Sequence, residues 1–328
     1  MPVTAVSTDP ENLTMSLVAD FAAPVERLWS VFTDPRQLER FWGPPGYPAT
    51  FVEFDFTVGG RALYRMTSPQ GEPSTGTWEF LAIDAPRRFE VLDAFAEADG
   101  TPMEGFPSMR MVFSFEDTPG GSRLSNTTHF TSAEALEQVV AMGALEGSTM
   151  AMNQLDAVLA GLRAYAEGKG TRTEILDDTH VRITRLIDGP QDLVWRAHTE
   201  PELLRQWMLG PEGWRMTVCE IDPAVGATYR FGWEPVDGGE GQAFGFDGET
   251  LLVEAPKRLV QTEHMTDTDY PSTLNDLSLY EEDGATLITL LTEYPDAQTR
   301  DAVLATGMTE GMETSYQRLD GLLAAQPR

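Results

Sequence analysis

The chain has 328 residues, with 52 acidic and 23 basic side chains and a formal net charge of −29. Hydrophobic content near 41% and charged content near 23% are those of an ordinary water-soluble protein with material for two cores. Such acidity repels nucleic acid and anionic lipid. The single cysteine, Cys219, excludes an intrachain disulfide or a cysteine-built zinc site.

In chain order, MPVTAVSTDPENLT has neither a basic nor an apolar block, so no secretory leader is expected. No run approaches the roughly 18 apolar residues of a membrane span, and no membrane insertion is expected. A reducing cytoplasm is the expected compartment. Residues 13–21 alternate as a strand, then Pro24 opens one short helix and Pro35 a second. Extended runs follow at 48–57, 60–67, 74–84, 87–94, 108–116 and 121–131, with turn residues such as Asp117–Gly121 between them. A long amphipathic helix is expected next, with Leu136, Val139, Val140, Gly143, Gly147, Met150, Gln154, Val158 and Leu162 on one face. Two glycines four apart on that face imply close approach of another backbone or a gap beside the helix, since each costs about 1 kcal/mol relative to Ala.

The same order then returns. ADFAAPVERLWSVFTDPRQLERFW (19–42) parallels RLIDGPQDLVWRAHTEPELLRQWM (185–208), and MGALEGSTMAMNQLD (142–156) parallels TGMTEGMETSYQRLD (306–320). Between these lie extended runs at 214–222, 226–234, 243–254, 257–265, 273–282 and 285–293. The period of about 165 residues is far too long for a solenoid and marks a duplicated domain. The expected organisation is domain 1 over 1–168, a linker over 169–174 and domain 2 over 175–328, the short linker favouring an intrachain pseudo-dimer. Each copy reads as α+β: about seven strands in one antiparallel sheet, two short helices after the first strand, and a long closing helix.

Particular residues carry a family resemblance. They are Pro-x-x-x-x-Trp at Pro24/Trp29 and Pro190/Trp195, the Thr-x-Pro step at Thr33/Pro35 and Thr199/Pro201, and an aromatic before Gly-Pro at 43–44 and 210–211. To these add Asp55/Gly59 and Asp222/Gly226, Glu79 and Glu249 ahead of Ala-Pro-x-Arg, and the Gly-x-x-x-Gly helix ending in Leu-Asp. With these signs in both halves, the chain resembles the helix-grip superfamily of START-like and Bet v 1-like domains, in the branch of the Hsp90 ATPase activator C-terminal domain. The resemblance implies a curved sheet wrapped around the terminal helix with a hydrophobic cavity between them. Proteins of this type bind lipids, hormones or polyketides, some cyclise or aromatise polyketides, and some take part in enediyne biosynthesis and self-resistance.

Aromatics and methionines expected to line a cavity are Trp42, Tyr47, Tyr64, Met66, Trp78, Met109, Phe113 and Met142 with Gly143 and Gly147 in the first copy. In the second they are Trp207, Trp214, Tyr229, Phe231, Trp233 and Met308 with Gly307 and Gly311. Such a set suits a flat apolar ligand, against the plainer alternative of a filled core. The four histidines, His129, His180, His198 and His264, have no metal-ligand spacing, and no metal or cofactor is expected. His129, His264, Arg65 and Tyr229 are the candidates for proton transfer or carbonyl binding. Gly238–Gly241 completes no phosphate loop. Three functional readings stand: a binder of a hydrophobic, polycyclic or polyketide-like molecule; a cyclase or aromatase using the same cavity; and an Hsp90-type co-chaperone.

Overall fold

Strand β2 (Thr14–Phe21) has Met15, Leu17, Ala19 and Phe21 buried and the residues between them half-exposed. That period of two is what a sheet with one covered face requires. The computed structural model describes residues 2–237 and 241–325 of the chain. The chain divides into two units, Met1–Gly161 and Leu162–Arg328. Of the run 238–241, residues 238–240 lie outside the described residues.

The first unit begins with β1 (Val3–Asp9), followed by β2, α1 (Val25–Thr33), α2 (Pro35–Leu38), β3 (Ala49–Phe54) and β4 (Arg61–Thr67). It continues through β5 (Pro73–Asp84), β6 (Arg88–Ala96), β7 (Met109–Thr118) and β8 (Gly121–His129). The helices α3 (Ala133–Ala141), α4 (Ala144–Asn153) and α5 (Leu155–Leu159) close it. The eight strands form one antiparallel sheet in the order β1-β2-β8-β7-β6-β5-β4-β3. Leu155 and Val158 of the closing helices pack with Leu28, Phe32, Trp78 and Phe113 in its main core.

The second unit opens with α6 (Leu162–Ala166), β9 (Arg172–Ile175), β10 (His180–Ile187), α7 (Gln191–Thr199) and α8 (Pro201–Trp207). Strands β11 (Trp214–Glu220), β12 (Thr228–Pro235), β13 (Phe244–Glu254), β14 (Arg258–Met265), β15 (Thr273–Glu282) and β16 (Ala285–Glu293) follow, then α9 (Ala297–Leu304) and α10 (Met308–Ala324). The sheet order is β11-β12-β13-β14-β15-β16-β10-β9. Arg185 on β10 holds α10 in place, reaching Glu313 at 3.0 Å and Asp320 at 2.9 Å. Burial pushes the Glu313 carboxyl up, but hydrogen bonds from Thr171 and Arg185 outweigh it and bring the group down to about 2.

Three expectations need correction. Each sheet has eight strands and not seven, because β1 and β9 pair along β2 and β10. Neither added strand alternates clearly in sequence, since an edge strand is covered on one side by a neighbour whose own hydrogen bonds recruit it. Residues 172–174, expected as linker, belong to β9, where Thr173 pairs with Ile183. The closing helix is also interrupted: Gly143 and Gly307 sit at helix starts with φ of 86° and 79°. Only glycine adopts that left-handed conformation without strain. The first glycine of each Gly-x-x-x-Gly therefore breaks the helix, while at the second, Gly147 or Gly311, an added Cβ meets nothing within 4 Å.

These two environments predict opposite effects of the same substitution. Gly147→Ala and Gly311→Ala should each raise unfolding free energy by about 0.5–1 kcal/mol. Gly143→Ala and Gly307→Ala should lower it, because alanine is strained at positive φ. Urea denaturation of the four variants checks this, and a loss of stability in Gly147→Ala or Gly311→Ala would contradict the open space assigned there.

Candidate functional site

In the second unit the covered face of the sheet and the helices border a partly open cavity of about 310 Å³. Strand alternation brings Tyr229, Phe231 and Trp233 of β12 to it, beside Phe244 and Phe246 of β13. From β14 and β15 come Leu259, Gln261, Glu263, Asn275 and Leu277. The helical side supplies His198, Trp207, Met308, Gly311, Met312 and Tyr316. Gly311 matters through what it lacks, since no side chain there intrudes on the space.

The rings present faces and not donors. Trp207 Nε1 donates to Ala197 O at 2.9 Å and Trp233 Nε1 to Met208 O at 2.8 Å, while Tyr229 Oη donates to Thr262 O at 2.8 Å. Trp207 stacks on Tyr316 with centroids 5.9 Å apart, and Trp233 stacks on Phe244 at 5.2 Å. Polar groups are few. Burial raises the Glu263 carboxyl above its ordinary range, and the Asn275 side chain partly offsets this. Asn275 Oδ1 already accepts from Thr292 Oγ1 at 2.8 Å, so its amide N–H₂ is the end free to meet Glu263. His198 donates from Nδ1 to Val194 O at 2.8 Å, and burial lowers its pKa to about 4. The imidazole is therefore neutral at pH 7, with a lone pair on Nε2 that has no partner among the described residues. No cluster of three metal-ligating side chains occurs among the described residues.

The first unit shows the same place differently filled. Arg61 pairs with Glu79 as Thr228 pairs with Glu249, and Asp84 pairs with Arg88 as Glu254 pairs with Arg258. Position by position, Ala62 then answers to Tyr229, Tyr64 to Phe231, Trp78 to Gly248 and Asp93 to Glu263. Trp78 is fully buried, 4.7 Å from Trp42, 5.7 Å from Phe51 and from Tyr64, and 6.2 Å from Phe113 between ring centroids. Asp93 Oδ1 accepts from Trp78 Nε1 at 2.8 Å and from Tyr64 Oη at 3.1 Å. Burial raises its pKa to about 6, although both hydrogen bonds lower it.

Of the four residues expected to do chemistry, the structure brings only Tyr229 to the cavity. Arg65 lies on the other face from Ala62, Tyr64 and Met66, its guanidinium 3.5 Å from Ala98 O. His129 alternates out of the buried series Ser122, Leu124, Asn126 and Thr128, and burial followed by Arg110 lowers its pKa. His264 stands one residue out of step with Leu259, Gln261 and Glu263, between Asp247 at 3.4 Å and Thr268 O at 3.1 Å. One strand residue in either direction reverses the face, and these three fell on the wrong one.

Among the expected lining residues, Trp207, Tyr229, Phe231, Trp233, Met308 and Gly311 do line the cavity. Trp214 and Gly307 neighbour it without lining it: Trp214 packs 5.2 Å from Phe244, and Gly307 starts α10. In the first unit Trp42, Tyr64, Met66, Trp78 and Phe113 pack in the core. Met109 joins a separate cluster with Met15, Phe130 and Leu136. Tyr47 is 40% exposed and Met142 56% exposed, so neither belongs to an enclosed site. Gly143 and Gly147 have open space beside them. Glu263 was missed, and so was His198 as a lining residue. The signal for Glu263 is in the duplication: Arg258–Met265 aligned on Arg88–Phe95 sets Glu263 on Asp93, an acid in both copies at an inward position.

Fold and cavity together define a tandem α+β helix-grip protein. A family model described as activator of Hsp90 ATPase homolog 1-like protein matches residues 22–160 and 188–324, once in each unit. The chain belongs to that family. Solved structures similar to it include protein Ms6760 from Mycobacterium smegmatis, 46% identical with a TM-score of 0.46, the match covering 48% of this chain and 98% of that one. A protein from Arthrobacter aurescens is 42% identical with a TM-score of 0.47, covering 48% and 92%. One from Rhodobacter sphaeroides is 31% identical with a TM-score of 0.45, covering 48% and 100%. No curated protein matches the chain. No helix among the described residues is long and apolar enough to cross a membrane.

Asp93 makes a pH prediction with a definite sign. Its pKa is about 6 in the folded protein against 3.8 for an ordinary aspartate, so the folded state holds the proton to higher pH than the unfolded chain. The contribution of Asp93 to stability is then greatest below about pH 4 and falls as pH rises to about 6. The loss is at most ~3 kcal/mol, at ~1.4 kcal/mol per pKa unit. Asp93→Asn keeps the acceptor oxygen without the charge. Its stability relative to the wild type should improve from pH 4 to pH 8, and parallel urea curves at the two pH values measure the change. A difference independent of pH would remove Asp93 as the titrating group.

Proposed function

We propose that the second unit binds a small, flat, largely apolar molecule in its cavity, ring against ring, and acts by holding it. The observation that supports this reading is that Leu259 and Leu277, which line the cavity among aromatic faces, stand where the first unit buries Phe89 and Phe113. A volume of about 310 Å³ lies at the low end of ligand pockets, roughly 300–1,000 Å³, and favours a molecule of two or three fused rings. Sequestration, carriage or protection within polyketide- or enediyne-type chemistry is the role that the family resemblance adds to this geometry. The co-chaperone reading rests on the family description alone.

A second reading draws on Glu263. A carboxyl with a raised pKa inside an aromatic cavity suits acid–base catalysis near neutral pH, as a cyclase or aromatase would need. Release of an unchanged ligand favours the binder. Release of a cyclised or dehydrated product, abolished by Glu263→Gln, favours the enzyme.

Thermal shift and native mass spectrometry against fused aromatics, fatty acids and sterols test occupancy. A ligand at 100 times its Kd should stabilise the protein by about 2.7 kcal/mol. Gly311→Leu extends a side chain into the cavity and should abolish the shift, while Gly147→Leu in the first unit should leave it intact. A shift that survives Gly311→Leu would place the ligand elsewhere.

A further inference from the structure

The two units keep an acid at the same place in the sheet but treat it differently. In the first, Asp93 receives two hydrogen bonds, from Trp78 Nε1 and Tyr64 Oη. In the second, the residue in the place of Tyr64 is Phe231, which has no hydroxyl, and the residue in the place of Trp78 is Gly248, which has no side chain. Tyr229 covers Gly248, its Cε1 2.8 Å from where a Cβ there would stand, but its hydroxyl is committed to Thr262 O. The two tryptophans lining the cavity donate to backbone carbonyls. Gln261 donates its amide to Thr250 Oγ1 at 3.0 Å. Among the described residues Asn275 is the side chain that hydrogen-bonds Glu263, where Asp93 has two such partners.

We infer that the ligand of this cavity is an aromatic molecule bearing an N–H or O–H donor, which hydrogen-bonds Glu263 as Trp78 and Tyr64 bond Asp93. This rests on the reading of the cavity as a ligand site and names the chemical class that it selects. An apolar ring alone would fill the space and leave the carboxylate under-satisfied in an apolar setting, which is costly. A ligand with a donor recovers that loss, and hydrogen bonds to charged groups are the stronger ones. No arginine or lysine among the described residues lines the cavity to pair the acid, so the complement has to come from what binds.

Indole and indene are the probes, two bicycles of the same shape that differ by N–H against CH₂. Isothermal titration at pH 8 should show the wild type binding indole at least tenfold more tightly than indene. Glu263→Leu removes the acceptor and should reduce the preference to within about twofold. Phe231→Tyr restores the hydroxyl present in the first unit and should also erode the preference, by supplying Glu263 from within. That second variant decides the matter if the first does not fold. Equal affinity of the wild type for the two probes would overturn the inference and leave the cavity reading standing. A preference that persists in Glu263→Leu or in Phe231→Tyr would show that another group accepts the bond, and would overturn it too. Binding of neither probe would remove the cavity reading, and the inference with it.

Discussion

The covered face of an antiparallel sheet has to be filled against the helix that crosses it, and the side-chain volumes on that face decide what each unit can do. Interiors pack at near-crystalline density, so a large residue at one position demands a small one opposite. The first unit pairs Trp78 with Ala62 and Tyr64 with Gly76. The second inverts the first pair, with Gly248 against Tyr229, and sets Phe246 against Phe231. Across β6 and β7, Phe89 stacks on Phe113 with centroids 4.5 Å apart, and the corresponding pair on β14 and β15 is Leu259 with Leu277. Each exchange is tolerable alone. Together they move bulk toward β12 and β13 and hollow the middle of the sheet.

The acid in the middle of that face follows from the same geometry. A carboxylate in an apolar core is destabilising unless donors surround it. Asp93 has them because Trp78 and Tyr64 lie on the strands on its own side of the sheet. With Gly248 in the place of Trp78, the indole N–H is lost while Tyr229 takes up the volume, its hydroxyl turned to Thr262 O. The acid on this face therefore has fewer donors in the second unit, beside the cavity that Leu259 and Leu277 border.

How much of this was legible in the sequence depended on the kind of signal. Duplication, the order of elements and the two short helices followed from Pro24, Trp29 and Pro35 and their counterparts. Strands β1 and β9 were hidden because edge strands are recruited by a neighbour's hydrogen bonds, and Val3–Asp9 lacks the alternation that marks β2. Aromatics were correctly placed where alternation fixed the face, as for Tyr229, Phe231 and Trp233. His129, His264 and Arg65 were chosen for their chemistry and not their parity, and each proved one residue out of step with the covered face. Parity would have selected Glu263. The sequence also had no means to say that Tyr229 covers Gly248 where the first unit sets Trp78 over Ala62, because only the register of β4 with β5 and β12 with β13 sets those positions equal.

Hollowing carries a cost that bears on function. A sealed void of 310 Å³ would forfeit about 7 kcal/mol at ~24 cal/mol per Å³, comparable with the whole stability of a typical domain, 5–15 kcal/mol, and the partial opening of this cavity to solvent lowers that cost. The repeat shows that the same fold can bury Trp78, Phe89 and Phe113 at the corresponding places. Gly311 is shared with the first unit, where Gly147 holds the same place with the same open space beside it. Leu259 and Leu277, in the places of Phe89 and Phe113, are the positions that depart from the filled solution in the same direction. Such agreement is what a site for an occupant requires, because binding energy returns what packing gives up only when the occupant matches both the space and the acid inside it.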